Sequence, residues 1–410
     1  ELYSVQIKGA FAVKKILVVA SDMEIGGAER ALIGLLGELS KRADQVDLFL
    51  LRHSGPFMRF IPKGVNLLPE NLKYSDLGVP IWKVIGRGHW RIVFGRARGK
   101  YRAKRFIAKN NLKKDNSVES HYSFKYTLNA LPEISNVEYD LALGFTTPYY
   151  ILDKKVHAKK KAVWIHTDYS ALDGDREEER KVWGAYPFIV SISEAVTNSF
   201  LKVYPELKDR IYPIDNIVSK ELIQRQAAMF SANSEMPPKG IRLLSIGRYC
   251  TAKNFDNVPD ICSRLIRAGL DVYWYIIGFG ADEQLIRRKI AECGMDGRVV
   301  LLGKKENPYP YIVACDLYVQ PSRYEGKCVA VREAQMLGKP VVITRYVTSA
   351  SQLEDGVDGV IVPMDNEGCA AGIEALLRNP EKMMYLSNAC QQRDYTNAAE
   401  VEKLYALMEN

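Results

Sequence analysis

Two glutamates separated by seven residues, Glu325 and Glu333, carry the most specific chemical signal in the sequence. They lie in the run Pro321-Ser322-Arg323-Tyr324-Glu325-Gly326-Lys327-Cys328-Val329-Ala330-Val331-Arg332-Glu333-Ala334. The first sits in a glycine turn after an apolar strand, and the second falls inside the helix that follows. A carboxylate accepts paired hydrogen bonds from vicinal diols, so one suits sugar hydroxyls and the other ribose hydroxyls. The helix start between them would face a leaving diphosphate and stabilise its growing charge.

Three further constellations are weaker when taken alone. Gly247-Arg248 is followed five residues later by Lys253-Asn254, and two cations beside a glycine turn suit a diphosphate. A pair of surface cations would read the same way. Ile25-Gly26-Gly27-Ala28-Glu29 opens a helix, where glycines let a phosphate or sugar approach the backbone and the positive helix end; a plain tight turn is the alternative. Trp164-Ile165-His166 ends an apolar run with a histidine, and such a residue is more often structural than functional. Asp173-Gly174-Asp175 has an Asp-x-Asp spacing, but it opens an acidic run that reads as a solvated helix start. No metal site is expected. Gly278-Phe279-Gly280 lacks the third glycine of a dinucleotide fingerprint and lies far from the first strand.

These residues need strands to hold them. Short continuous apolar runs, the mark of buried parallel strands, occur at Lys15–Ala20, Val46–Leu51, Tyr139–Gly144, Ala162–His166 and Phe188–Ser193. A second series follows at Arg242–Ile246, Val272–Ile277, Val299–Leu302, Leu317–Gln320, Val341–Thr344 and Gly359–Val362. Helical patterns lie between most of them, as in Ala28–Ser40, where Leu32, Leu35, Leu36 and Leu39 share a face. Strand–helix alternation predicts an α/β protein with two doubly wound sheets, each binding ligands at its strand carboxyl ends and facing the other across a cleft. The expected division is residues 1–215, residues 216–394, and a terminal helix in 395–410 that packs back on the first domain. Phe230–Gly240, with Pro237-Pro238, reads as an exposed loop.

With 410 residues and 47% hydrophobic content, the chain can bury a sizeable core, and two domains are the natural expectation. No apolar run approaches the roughly 20 residues of a bilayer span, and the start of the sequence lacks a signal-peptide pattern. Seven cysteines, odd in number and without a CxxC pair, read as reduced cytosolic thiols. A cytoplasmic location is expected. The net charge of +8 is uneven: between Leu77 and Lys114 stand twelve Lys or Arg and no acid. Trp82, Ile85, Trp90, Ile92, Val93, Phe94, Phe106 and Ile107 are interleaved with them. Such a face suits an anionic membrane surface; a solvated basic helix pair or a nucleic-acid patch are the alternatives. No nucleic-acid partner is expected.

In combination the motifs gain specificity. Gly-Arg…Lys-Asn, then Ile-Gly-Phe-Gly at Ile277–Gly280, then Glu-x7-Glu resembles the retaining glycosyltransferases of family 4, which have the GT-B fold. The resemblance runs from Lys15 to about Leu377 and is stronger in the second half. Asn307-Pro308-Tyr309-Pro310-Tyr311 and Ser351-Gln352…Gly356…Gly359 are similar to members that build bacterial polysaccharides. The resemblance implies that Glu325 contacts donor-sugar hydroxyls and Glu333 the nucleotide ribose. Arg248 and Lys253 would neutralise the diphosphate, His166 would line the donor-sugar side, and Gly26 and Gly27 would approach the donor phosphate. Gly247, Gly278, Ser322, Gly326, Lys327, Cys328 and Val329 complete the implied donor site.

The donor would be a nucleotide diphosphate sugar, a UDP-sugar by resemblance, used without metal or resident cofactor. The acceptor would be a saccharide or a lipid-linked saccharide. Two departures stand out. Lys327 and Cys328 replace the family's usual aromatic or leucine and small residue, which leaves sugar preference open. Asn216-Ile217-Val218 lacks the acid that often follows. A catalytically silent subunit that binds an acceptor or a partner enzyme is the alternative reading, and it predicts loss of donor ligands that this sequence keeps. A nucleotide-sugar epimerase would need acid–base residues that are not evident.

Overall fold

The computed structural model describes residues 14–24, 26–42, 45–112, 117–146, 149–166, 169, 174–325 and 328–409. They form two compact units: the chain up to Ser219 together with the segment from Thr396 onward, and Lys220–Tyr395.

The first unit is built on seven strands: β1 (Lys15–Ala20), β2 (Gln45–Leu50), β3 (Val65–Leu67), β4 (Tyr139–Gly144), β5 (Ala158–Ile165), β6 (Phe188–Ser191) and β7 (Ile211–Pro213). They pair in parallel in the order β3-β2-β1-β4-β5-β6-β7. The chain steps outward from β1 to β3 and then returns to β4, so the order reverses between β1 and β4. Each parallel return needs a crossover, and most crossovers are helical. The central strands are buried on both faces, which is why β1 has five buried residues in a row.

Leu32, Leu35, Leu36 and Leu39 of the Gly27–Lys41 helix are all buried. Gly34 lets the backbone pass close beside that helix, since a Cβ there would stand 2.1 Å from the Ile217 carbonyl oxygen. The closing Val401–Glu409 helix packs on the same helix, where Glu402 pairs with Arg42 and the Lys14 ammonium lies 5.5 Å from the Tyr405 ring centre.

The second unit has six strands: β8 (Ile241–Ile246), β9 (Val272–Ile277), β10 (Val299–Gly303), β11 (Leu317–Gln320), β12 (Val341–Thr344) and β13 (Val360–Val362). All are parallel, in the order β10-β9-β8-β11-β12-β13, and the order reverses between β8 and β11. Its core gathers Leu243, Trp274, Ile276, Leu317 and Val319 from the sheet with Ile261, Leu265 and Ile373 from the helices.

Two local expectations need correction. Phe230–Gly240 is not a wholly exposed loop: Ala232 and Met236 are buried, at 3% and 0% exposure. Small and flexible apolar side chains let an irregular segment seat itself on the core. The acidic run after Gly174 is not simply solvated either. Asp175 caps the Arg176–Trp183 helix through the Glu178 amide, and Glu179 is 6% exposed. Glu179 is satisfied by Ser117 Oγ at 2.8 Å, by Arg176 at 3.1 Å and by the Tyr204 hydroxyl, so its burial leaves no uncompensated charge.

Candidate functional site

In doubly wound sheets, ligands bind beyond the strand carboxyl ends where the strand order reverses. In the second unit that point lies beyond β8 and β11. The chain leaving β8 passes through Gly247 and Arg248 into a short turn at Thr251–Lys253, closed by Asn254 at φ +60°. Asn254 is buried and accepts a hydrogen bond from Asn257 Nδ2 at 2.7 Å, which supports a left-handed conformation that asparagine tolerates. This turn lays the Lys253 stem along Gly247, where an added Cβ would meet Lys253 Cε at 3.0 Å. The loop after β9 presses in from the other side. A Cβ on Gly278 would stand 1.9 Å from the Gly247 carbonyl oxygen, so this crossing of two backbones demands glycine.

The chain leaving β11 supplies the partner of Lys253. Lys253 Nζ lies 2.5 Å from Glu325 Oε1, and the two side chains are 17% and 11% exposed. Glu325 also accepts from Ser322 Oγ at 2.6 Å; Ser322 Oγ accepts from Gln320 Nε2 at 2.9 Å, and Gln320 Oε1 accepts from the Tyr318 hydroxyl at 2.8 Å. A buried polar chain therefore runs from inside the sheet to the Lys253–Glu325 pair. Thr344 Oγ1 donates to the Ser322 carbonyl at 2.5 Å, and Thr348 Oγ1 donates to the Glu325 carbonyl at 2.7 Å. Arg323 ties the two loops together, gripping Asp256 with two bonds of 2.8 and 2.9 Å and donating its amide to the Ala252 carbonyl.

Cys328 and Val329 open the Val329–Met336 helix beside this pair. Gln352 clamps Cys328, accepting from its amide at 2.7 Å and donating to its carbonyl at 3.2 Å. Burial pushes the Cys328 thiol up to about 11, while Lys253, 4.0 Å away, pulls weakly the other way. A protonated thiol is a small packing group and no nucleophile. Val329 is exposed at the helix start. Glu333, one turn further on, is 5% exposed and accepts from the Tyr309 hydroxyl at 2.7 Å. Arg248 is exposed and has no carboxylate partner among the described residues. Gly326 and Lys327 lie outside the described residues.

His166, Gly26 and Gly27 belong to the first unit, at the carboxyl edge of its sheet. Gly26 precedes the Gly27–Lys41 helix; a Cβ on it would meet the Glu29 carboxylate, whereas Gly27 has open space around it. His166 follows β5 and lies against Phe145, with ring centres 4.5 Å apart. Its two ring nitrogens are buried without a hydrogen-bond partner among the described residues. Burial holds the imidazole down at about 4, against a small opposing pull from the Phe145 backbone, so the ring is neutral at physiological pH. Asp175 is engaged as a helix cap and receives the Tyr122 hydroxyl, while Asp173 lies outside the described residues. No group of three metal-ligating side chains occurs among the described residues.

Comparison with known proteins follows the same division. Residues 229–393, nearly the whole second unit, match the family model of glycosyl transferases group 1. Over their whole length, solved structures superpose at low identity. HepE of Anabaena, crystallised with UDP-glucose, covers 96% of this chain and 99% of its own at 17% identity, with a TM-score of 0.55. TarM covers 98% of this chain and 100% of its own at 13% identity, with a TM-score of 0.60.

The fold is GT-B.

Among curated proteins, the GT-B chain is 28% identical over 154 residues to the lipopolysaccharide core biosynthesis glycosyltransferase LpsE of Rhizobium meliloti, covering 37% of this chain and 44% of that one. It is 30% identical over 145 residues to the amylovoran biosynthesis glycosyltransferase AmsK of Erwinia amylovora, covering 33% and 35%. The aligned stretch thus spans less than half the length of either relative.

Several residues that build this candidate site carry no obvious mark in the sequence. Gln320, Thr344 and Thr348 are single polar residues at or after strand ends. Asp256 becomes important only through Arg323, which is 67 residues away in the chain. Tyr309 and Gln352 do sit within the segments that resemble polysaccharide-type members, and that resemblance is their one signal.

Proposed function

We propose that this chain is a retaining glycosyltransferase of family 4. It would transfer a hexosyl group from a UDP-sugar to a saccharide or lipid-linked acceptor in cell-surface polysaccharide or glycoconjugate synthesis, on the cytoplasmic side of the membrane. The observation that carries this reading is the Lys253–Glu325 pair, fixed beyond β8 and β11 by the Tyr318–Gln320–Ser322 chain. The match of residues 229–393 to glycosyl transferases group 1 supports it.

In the reaction, the bond between the anomeric carbon and the diphosphate oxygen breaks, and a bond to the acceptor oxygen forms on the same face. The acceptor's proton passes to the departing diphosphate. The residues of this chain hold charge and position for that exchange. Lys253, shared between Glu325 and the incoming diphosphate, and the exposed Arg248 meet the growing negative charge; preorganised charge stabilisation usually contributes more to the rate than any other single effect. The exposed amide end at Val329 adds to it. Glu325 orients sugar hydroxyls, and Glu333 receives the ribose. His166, Gly26 and Gly27 are the first unit's candidate contacts. Lys253 and Arg248 take the place that a divalent ion fills elsewhere, so this reading requires no metal.

Thermal-shift measurements with UDP, GDP, ADP and their hexose conjugates test the donor reading, with and without EDTA. Binding to the folded state raises the melting temperature by mass action. An EDTA-insensitive shift with UDP ligands is expected. No shift with any nucleotide would transfer the weight to a silent acceptor-binding subunit.

A further inference from the structure

The first unit exposes an apolar strip that its own core does not use. The Ile81–Gly86 helix buries Val84 and leaves Ile81, Trp82 and Ile85 outside. The Trp90–Asn110 helix buries Ile92, Gly95, Gly99 and Ala103 against the Val118–Thr127 helix. That seam is tight: a Cβ on Gly95 would meet the Tyr126 carbonyl at 2.6 Å, and one on Gly99 would meet the Ser123 backbone at 2.7 Å. On the opposite side of the same helix Trp90, Phe94, Ala97, Tyr101 and Ala108 recur at steps of four, three, four and seven. With 3.6 residues per turn, those steps place them on one narrow line. Trp82, Trp90, Phe94 and Tyr101 are 67%, 52%, 69% and 64% exposed, whereas the protein's other tryptophans, Trp164, Trp183 and Trp274, are buried.

Cations flank this line. Arg87 pairs with Asp76 and Lys100 with Glu119, and Arg96 donates to the Asp76 and Val79 carbonyls. Arg91, Arg98, Arg102, Lys104, Arg105 and Lys109 have no carboxylate partner among the described residues. Arg98 instead lies 4.7 Å from the Tyr126 ring centre. Exposed aromatic side chains in line, bordered by positive charge, match the boundary between acyl chains and anionic headgroups. No helix among the described residues is long and apolar enough to cross a membrane, so the strip lies along the surface. A nucleic acid would use the cations and stack on the rings, but it prefers a groove and has no use for the aliphatic Ile81, Ile85 and Ala97. On this strip the aromatic rings stand more than half exposed, from 52% at Trp90 to 69% at Phe94.

We propose that this face docks the protein on anionic bilayers, with Trp82, Trp90, Phe94 and Tyr101 inserted at the headgroup level and the flanking Arg and Lys on lipid phosphates. The docking goes beyond the transferase reading and needs no donor, so it is tested without one. The full chain is co-sedimented with vesicles of phosphatidylcholine alone and of phosphatidylcholine mixed equally with phosphatidylglycerol, at low and high salt.

The wild type is expected to partition about tenfold or more in favour of the anionic vesicles, since each surface cation near such a membrane contributes roughly fivefold. The combined variant Trp82→Ser, Trp90→Ser, Phe94→Ser keeps every cation. It should lose the binding that survives high salt while keeping the wild-type melting temperature. The combined variant Arg91→Gln, Arg98→Gln, Lys104→Gln, Arg105→Gln should lose the preference for anionic lipid. Equal partition of the wild type between the two vesicles overturns the proposal. So does an aromatic variant that binds like the wild type, or displacement of the protein from vesicles by a single-stranded oligonucleotide that it binds more tightly.

Discussion

The two sheets share a parallel topology and a central order reversal, yet the carboxyl ends of β11 and β5 are finished in opposite ways. Beyond β8 and β11, three polar side chains in sequence lead to an ion pair, and the loops there are cross-tied by Arg323, Thr344, Thr348 and Gln352. Beyond β5 stands a single neutral imidazole packed on Phe145, with no hydrogen-bonding partner among the described residues. The first arrangement costs its order at folding, so charge is in place before a ligand arrives. The second is a neutral ring held by packing, with no polar side chain of the described residues on its nitrogens.

The largest break in that contrast comes from the ion pair. Lys253→Ala or Glu325→Ala should lower turnover by about 10²–10³, the usual loss when one fixed charge-stabilising group is removed. The double variant should lose far less than the product of the two, because each single change leaves a buried charge unpaired. Product formation from a UDP-sugar and far-UV circular dichroism would measure both effects. Two single variants with full activity would refute the placement of the donor site.

The glycines sharpen the contrast in stability. Gly278→Ala forces a methyl group against the Gly247 carbonyl and should cost about 1–3 kcal/mol, read as a lower urea midpoint. Gly27→Ala meets nothing within 4 Å and should leave that midpoint unchanged. If Gly27→Ala nonetheless weakens nucleotide binding, a ligand approaches that backbone.

A smaller effect tests His166. The unfolded chain takes up a proton there near pH 6.5, and the folded chain refuses it until about 4. The residue's contribution to stability is therefore complete above pH 6.5 and is lost as pH falls towards 4. His166→Gln should flatten that part of the melting-temperature profile, and in NMR the wild-type ring should not titrate between pH 8 and 5.5, on the same shift. The smallest effect is at the thiols: burial holds Cys328 up at about 11, so half-buried Cys250 and Cys293 should be alkylated first at neutral pH.

Much of this fold is legible in the sequence, because strands buried on both faces read as unbroken apolar runs. Lys15–Ala20, Tyr139–Gly144, Val272–Ile277, Leu317–Gln320 and Val341–Thr344 end where such runs end. β3 and β7 are missed because three-residue edge strands carry too few side chains to show a pattern. The start of β5 is hidden by Lys159, Lys160 and Lys161, since these long side chains carry their charge out to partners such as Asp140 and the Asp153 carbonyl. In the site, Gly247, Lys253, Ser322, Glu325 and Cys328 do meet. Their supports Gln320, Asp256, Thr344 and Thr348 are ordinary polar residues whose importance arises only from tertiary proximity, which no spacing rule encodes.

The glycine seam of the Trp90–Asn110 helix has one more consequence. Where Gly95 and Gly99 bring two backbones together, the helix has no side-chain layer on which to roll or slide. Its azimuth is locked, like that of a keyed shaft. The line of Trp90, Phe94 and Tyr101 is consequently a fixed bearing on the body of the first unit, and whatever it meets will set the attitude of the β1–β7 sheet behind it.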